Sequence, residues 1–258
     1  MTKRTAGSSL ERPSSLSDVF YRAHAAGMPR KSVADEPALV LHTRPYSEAS
    51  LLVEAFTARY GRVVLLAKGA NRPSAQYRGL LQAFCLLKLT WSGTGEVKNL
   101  IRVEWFGTLQ PSPEGLISGF YVNELLMRFA AREDPHPALF PIYVETIERL
   151  GLLDAREREA ALRRFERKLL ATLGWGPTVS DASAASYALR EGELVPARQG
   201  DAPVWSAAAV RAFMCAGEFD AGLLRETRTL ARALIDYHMD GRAVNTRRIA
   251  AALAAGGE

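Results

Sequence analysis

The segment LLAKGANRPSAQYRG, residues 65–79, leaves an apolar run and continues as a basic stretch without any acidic residue. Its charged and aromatic members are Lys68, Arg72, Tyr77 and Arg78. From Ala55 to Gly95 there are six cations and no anion. Cationic side chains neutralise phosphates, and an aromatic ring among them can stack on a base. The pattern therefore indicates a surface for a polyanion, with a solvated basic loop as the alternative.

The charge distribution along the chain supports the first interpretation. The chain has a net charge of +5, and residues 38–110 alone hold nine basic and four acidic residues. Residues 111–258 hold eighteen basic and twenty acidic residues. A block of one dominant sign attracts nucleic acid, so we expect the nucleic-acid partner to bind within residues 38–110.

No set of residues has the spacing of a catalytic or metal site. The sequence SGTGEVKN lacks the Gly-Lys-Ser/Thr ending of a phosphate loop, so it predicts a hairpin turn. Cys85 and Cys215 are too far apart in sequence for a zinc motif and are expected to be buried. Glu124 lies on an apolar helix, where we expect an arginine or a backbone N–H to satisfy it. We therefore expect a binding protein, not an enzyme, with no catalytic residue, cofactor or metal.

Two patterns of hydrophobic residues divide the chain after its first 37 residues. Five short β runs occupy residues 38–110, and in the last run Ile101, Val103 and Trp105 are predicted to face the core. Five strands in this length suit a small oligonucleotide-binding (OB) barrel. Residues 111–258 then show helical periodicity. The predicted helices span residues 114–134, 138–151, 157–174, 206–217, 222–239 and 245–254.

The sequence thus predicts a multi-domain α+β protein, with an OB-fold β-barrel at 38–110 and a helical domain at 111–258. Residues 1–37 are predicted to be a disordered N-terminal extension with one short helix near residues 19–26. Residues 176–204 are predicted to be irregular, with at most one hairpin. No apolar run has the ~20 residues of a membrane span, so we expect a cytoplasmic protein with no membrane partner.

Three sequence motifs resemble the bacterial recombination mediator family RecO. They are the stretch from VLHTRPYSEASLLVEAF to WSGTGEVKNL, the helix GFYVNELLMRF and the helix ALRRFERKLLATLGW. The match is strong over residues 38–178 and weaker to 255. The resemblance implies an OB barrel, a helical C-terminal domain, and ATP-independent binding of single- and double-stranded DNA with annealing of complementary strands. It also implies cooperation with RecR in placing RecA on strands coated by single-stranded-DNA-binding protein (SSB), and hence nucleoid association.

The chain departs from relatives that carry a four-cysteine zinc site, because it has only two cysteines. We therefore expect residues 176–204 to be ordered by packing alone. RNA binding, or an enzyme acting on nucleic acid, stays open as an alternative function.

In such a barrel, cations follow the phosphates and aromatic rings stack on bases. The predicted DNA contacts are Arg44, Arg62, Lys68, Arg72, Tyr77, Arg78, Lys88, Lys98 and Arg102. Tyr46 is a further possible stacking surface, and either tyrosine could be a core residue instead.

The SSB tail implied by the resemblance is a short acidic peptide with an apolar aromatic end, which needs an apolar pocket with a cationic rim. The helix at 157–174 offers both, because Arg163 and Arg167 flank one side of its apolar stripe and Arg164 and Lys168 the other. Arg163, Arg164 and Arg167 are therefore the predicted SSB-tail residues. The alternative is that they are surface arginines paired with Glu157, Glu159 or Glu166.

Overall fold

The computed structural model describes residues 32–73, 75, 77, 79–152, 154–215, 220–239 and 242–255. The first half forms a closed barrel of five strands in the order β1-β2-β3-β5-β4. Its strands are β1 (Ser32–Pro45), β2 (Leu51–Thr57), β3 (Gly61–Ala67), β4 (Cys85–Ser92) and β5 (Val97–Thr108). Strands β1, β2 and β3 form an antiparallel meander, and β4 pairs with both β1 and β5. A parallel contact of Val64–Leu66 with Val97–Asn99 closes the barrel, as expected for an OB fold.

Strand β1 begins six residues before the predicted start of the barrel. Ser32 pairs with Ser92, and Val33 pairs with Trp91. Residues 32–37, which the sequence analysis assigned to the extension, are therefore part of the first strand. Acidic and small residues conceal this strand from a search for apolar alternation, and backbone pairing with β4 establishes it. The predicted helix near residues 19–26 lies outside the described residues.

Both faces of β1 are buried, which explains the continuous apolar run ALVL. Val40 lies in the barrel interior together with Val53, Leu65 and Leu87. Leu39 and Leu41 face outward into a second core that they share with the helices. Burial of alternate residues on opposite sides of one strand therefore holds the barrel against the second half of the chain.

Helices dominate the second half, as the periodicity predicts. They are α1 (Leu116–Phe129), α2 (Leu139–Leu152), α3 (Ala155–Thr172), α4 (Ala207–Cys215), α5 (Ala221–His238) and α6 (Asn245–Ala255). Among the described helices, none is long and apolar enough to cross a membrane. Cys85 is buried as expected, but the prediction for Cys215 is wrong, because that thiol lies exposed at the end of α4.

The segment predicted to be irregular contains three strands of a small four-stranded sheet with the order β6-β8-β7-β9, and β9 follows directly after it. Its strands are β6 (Thr178–Val179), β7 (Ser186–Arg190), β8 (Glu193–Pro196) and β9 (Trp205–Ser206). The predicted hairpin is β7-β8. Strands β6 and β9 are only two residues long, too short to produce a periodic pattern. The indole of Trp205 is buried and donates a hydrogen bond to Thr229 on α5 at 2.9 Å, so this sheet packs on the helices.

Glu124 of α1 fixes the last helix. Its carboxylate accepts hydrogen bonds from the backbone N–H groups of Asn245 and Thr246 at 2.9 and 2.8 Å, and Arg128 lies 3.3 Å away. Burial alone would raise the pKa of Glu124, but these donors outweigh it and lower the pKa. The expectation of a satisfied buried carboxylate is confirmed, and Glu124 acts as an N-terminal cap for α6.

The predicted helix 114–134 ends five residues early, at Phe129, because the barrel takes over its last backbone groups. The carbonyl of Ala130 accepts a hydrogen bond from the Arg62 side chain at 2.9 Å. The backbone N–H of Glu133 donates to the Arg62 carbonyl at 2.8 Å. Residues 130–134 therefore lie against β3, and helix formation stops where these contacts begin.

Candidate nucleic-acid interface

Two connections form one end of the barrel: the β1-β2 turn at residues 46–50 and the β3-β4 loop at 68–84. The backbone N–H of Asn71 in the loop donates a hydrogen bond to the carbonyl of Ala49 in the turn at 3.1 Å. The turn itself is closed by a 3.0 Å bond from Tyr46 N–H to the Ser50 carbonyl. Side chains that are 20 or more residues apart in sequence therefore share one surface, which we call the loop end.

Three predicted phosphate contacts lie on the loop end with their charges available. Arg44, Lys68 and Arg72 are all exposed, and none forms an ion pair with another described residue. Arg78 lies outside the described residues. Because no ion pair with a described carboxylate engages these cations, they can exchange their counterions for phosphates.

The two predicted tyrosines have different environments. Tyr46 is 63% exposed at the tip of the turn, so its ring is open to a partner. Tyr77 is half-buried against the barrel interior and donates a hydrogen bond to the Lys68 carbonyl at 3.1 Å. Tyr46 can accept a stacked base, whereas Tyr77 holds the start of the basic loop in place.

Two other predicted contacts are engaged inside the molecule. Arg62 lies 3.0 Å from Glu54 and also bonds Ala130. Lys98 is 6% exposed, with its ammonium 2.5 Å from Glu133 and 3.1 Å from the Gly95 carbonyl. A buried lysine held by a carboxylate and a carbonyl is not presented to a phosphate. The placement of Arg62 and Lys98 therefore favours a structural role on the side of the barrel that faces residues 130–134.

Lys88 lies on β4 and Arg102 on β5, so neither belongs to the two connections that form the loop end. The ammonium of Lys88 lies 5.2 Å from the centre of the Phe106 ring, a cation–π contact. Arg102 forms an ion pair with Glu104 and approaches Asp35 to 4.0 Å. Both cations reach solvent, but the neighbouring carboxylates cancel much of the charge around Arg102.

The predicted inward face of β5 is confirmed for Val103, which packs against the barrel interior, and is wrong for Ile101 and Trp105. Ile101 and Trp105 are 55% and 61% exposed, whereas Lys98 and Leu100 are buried. In the pairing with β4, Leu100 and Arg102 oppose consecutive residues, so Ile101 is an extra residue that shifts the alternation. After it, Val103 and Trp105 lie opposite the interior residues Leu89 and Leu87, yet the Trp105 ring stays exposed. Trp105 is thus an open aromatic ring that sequence reasoning assigned to the core. A bulge of this kind leaves no mark in composition, so alternation alone cannot locate it.

The arginines of α3 are divided between two cavities. Arg163 is 4% exposed and lies 2.5 Å from the buried Glu166, as the ion-pair alternative predicts. It lines a cavity of about 540 Å³, which we call the arginine cavity. Arg164 and Arg167 instead line a cavity of about 410 Å³ between α2 and α3. The three predicted SSB-tail residues therefore do not form one site.

The arginine cavity combines apolar and cationic walls. Its apolar lining comes from residues such as Ile117, Leu162 and Ala251. Its cationic lining is Arg158, Arg163, Arg228, Arg232 and Arg247. The pKa of Arg232 is lowered, first by burial and then by the nearby charges of Arg247, Arg228 and Arg163. Several positive charges therefore lie close together in this cavity. The buried Nε of Arg163 has no hydrogen-bond partner among the described residues.

Metal ligands are not grouped in the part of the chain that the structure describes: it contains no cluster of three or more His, Cys, Asp or Glu residues suited to a metal ion. Acidic groups near the cavities are used in ion pairs, such as Glu159 with Arg228 at 2.5 Å. The chemistry offered by these sites is therefore the binding of anions.

Comparison with known proteins matches both halves of the chain. Residues 32–109 match the family described as Recombination protein O N terminal, and residues 110–247 match Recombination protein O C terminal. The chain is 40% identical over 229 residues to the DNA repair protein RecO of Ralstonia nicotianae, covering 84% of each chain. It is 39% identical over 233 residues to the DNA repair protein RecO of Aromatoleum aromaticum, covering 85% of this chain and 96% of the relative. This chain therefore belongs to the recombination protein O family, and that membership supports a role in DNA repair and recombination.

Proposed function

We propose that this chain binds single- and double-stranded DNA without sequence preference and anneals complementary strands. The observation that carries the proposal is the grouping of Arg44, Lys68 and Arg72 on the loop end, exposed and without carboxylate partners among the described residues. Family membership supports the same function. The chain acts as a binding protein and not as an enzyme.

The loop end would contact DNA through features that every sequence shares. Guanidinium and ammonium groups neutralise backbone phosphates, which are the same at every nucleotide. An open ring such as Tyr46 can stack on any base, because each base has a π face. Because none of these contacts reads a base edge, the protein can act on whatever sequence is damaged.

We also propose that the chain works with RecR to place RecA on SSB-coated strands, and that it is nucleoid-associated. A mediator of this kind must find SSB, and the arginine cavity has the chemistry for an acidic peptide with an apolar end. Ile117 and Leu162 offer apolar contact, and the crowded arginines favour carboxylates. The predicted anchor Arg163 stays in this proposal as a lining residue of the cavity, whereas Arg164 and Arg167 leave it.

The annealing activity is tested with the pure protein, complementary DNA strands and EDTA, without nucleotide. We expect annealing well above the spontaneous rate, and the logarithm of the affinity for single strands should fall linearly as log salt concentration rises. Strand cleavage or a metal requirement would instead indicate an enzyme. Tighter binding of structured RNA than of DNA would indicate the RNA-binding alternative.

The tail site is tested with Arg232→Glu, which reverses a charge in the cavity without breaking an ion pair with a described residue. Arg225→Glu is the matched control, because Arg225 is exposed on the same helix and does not line the cavity. We expect Arg232→Glu to lower the affinity for an SSB-tail peptide by about tenfold, since a cation becomes an anion beside the peptide carboxylates. Both variants should anneal naked DNA normally. Equal peptide affinity in the two variants would place the tail elsewhere.

A further inference from the structure

The second cavity of the helical half lies between α2 and α3, and we call it the basic groove. It has a volume of about 410 Å³. Its cationic lining is Arg149, Arg164, Arg167 and Lys168. Glu145 is the carboxylate among its lining residues and lies 2.8 Å from Arg149, so that pair is neutral. Three positive charges therefore stay uncompensated within the lining.

These three cations are available to a ligand. Arg164 and Lys168 are exposed and form no ion pair with another described residue. Arg167 extends across to α4, where it donates a 3.3 Å hydrogen bond to the Met214 carbonyl. Its buried Nε has no partner among the described residues. The groove thus contains both exposed charges and an unsatisfied, enclosed donor.

The floor of the basic groove distinguishes it from the arginine cavity. Phe165 is fully buried, and Thr146 is also buried, with its hydroxyl bonded to the Ile142 carbonyl at 2.7 Å. Ile142 is the partly exposed apolar side chain of the lining, so the groove offers less apolar surface to a peptide than the arginine cavity does. Arg164 and Lys168 are one helical turn apart, so their charges repeat every ~6 Å along the groove. Regularly spaced cations beside a small apolar surface suit a polyanion with regularly spaced charges, which is a phosphodiester backbone.

The basic groove is separated from the loop end of the barrel. Helix α1 lies between them, because Asn123 donates a hydrogen bond to the Leu41 carbonyl of β1 at 3.0 Å and accepts one from Tyr143 of α2 at 2.7 Å. Tyr143 faces α1, whereas Ile142, Glu145 and Arg149 of the same helix line the groove. A strand held at the loop end therefore leaves the groove free.

We propose that the basic groove binds the phosphate backbone of a second single strand while the loop end holds the first. This inference rests on the proposed annealing function, which requires two strands to meet. When one chain holds both strands, each strand is present at a high effective concentration near the other. The groove makes no base contacts, so the second strand's bases stay free to pair.

The test uses Arg164→Glu with Lys168→Glu in the full chain. The control is Arg211→Glu with Arg225→Glu, which makes the same change in net charge at exposed residues of α4 and α5 outside both cavities. Two non-complementary strands with donor and acceptor dyes report bridging directly. Wild type and control should show energy transfer, and the groove variant should lose it. Its affinity for one strand should stay within about twofold, and its annealing rate should fall at least about tenfold.

Three outcomes would overturn the inference while leaving the proposed function intact. The groove variant could bridge and anneal as well as the control. It could lose affinity for a first strand in parallel with annealing, so that the groove would be part of a single DNA site. It could lose affinity for the SSB-tail peptide and keep a normal annealing rate, which would mean that the groove binds a protein and not DNA. If the wild-type protein binds no DNA at all, the proposed function fails, and this inference fails with it.

Discussion

The loop end of the barrel and the side that faces residues 130–134 both contain arginine and lysine side chains. They are exposed at the loop end and paired with carboxylates on the other side. Arg44 and Lys68 are exposed and unpaired with described residues, whereas Arg62 and Lys98 are held by Glu54 and Glu133. Counting charges along the sequence treats all four alike. The topology separates them, because Arg44 at the end of β1 and Lys68 in a connection reach solvent, whereas Arg62 and Lys98 lie beside residues 130–134. Availability of a cation to DNA therefore depends on where its carboxylates lie.

The largest effect is expected from removing the free charges. Changing Arg44, Lys68 and Arg72 together to Ala should weaken single-strand binding roughly 100-fold, at about 1 kcal/mol for each charged contact. The slope of log affinity against log salt should fall in magnitude by about two, since each lost contact removes ~0.7 on single strands. Fluorescence anisotropy at several salt concentrations measures both quantities.

The stability of this triple variant is its internal control. All three side chains are exposed, so the urea midpoint should change little. An unchanged salt slope would remove the loop end from the DNA site. A large loss of stability would mean that the binding defect comes from unfolding.

A smaller effect, on stability alone, is expected at Gly61, the first residue of β3. Gly61 has φ of +65°, and an added Cβ would lie 2.1 Å from the Asp134 carbonyl oxygen. Gly61→Ala should therefore cost about 2 kcal/mol in the free energy of unfolding, from backbone strain and displacement of residues 130–134. Gly174→Ala is the matched control, because Gly174 has φ of +76° and open space around it. Equal urea midpoints for the two variants would argue against the close contact.

The smallest effect is expected from Lys98→Met compared with Lys68→Met. Lys98→Met should lower stability by about 1 kcal/mol, because Glu133 loses its partner but keeps access to water, and the salt slope should not change. Lys68→Met should do the reverse, leaving stability unchanged and reducing the slope by ~0.7. Urea titration and anisotropy on both proteins complete the comparison. A reduced slope for Lys98→Met would return this lysine to the DNA interface.

Sequence reasoning predicts the parts of the fold that depend on local pattern. The five strands, the hairpin at SGTGE and the helical half follow from periodicity and turn residues. The resemblance to a known family adds the order of the two halves. The start of β1 at Ser32 and the end of α1 at Phe129 could not be predicted in this way. Both boundaries are decided by hydrogen bonds to residues about 60 to 70 positions away, to Ser92 in one case and to Arg62 in the other.

The candidate sites show the same division between local and distant information. Arg163 and Arg164 are neighbours in sequence, and the helical pattern correctly places them on different sides of the apolar stripe. The pattern does not reveal that Glu166 buries Arg163 or that the two arginines line different cavities. Alternation also assigns Trp105 to the core, but the structure leaves this ring 61% exposed although it lies opposite the interior residue Leu87.

The cap that Glu124 provides for α6 also sets an order of folding during synthesis. The carboxylate and its donors are 121 and 122 positions apart, so Glu124 leaves the ribosome long before Asn245 and Thr246 exist. Until then α1 must either keep this charge hydrated or leave its own packing incomplete. The helical half can therefore close only after Asn245 and Thr246 have been synthesised. A protein released without α6 would leave the buried Glu124 without its two backbone N–H donors, and quality-control proteases act on incompletely folded chains of this kind.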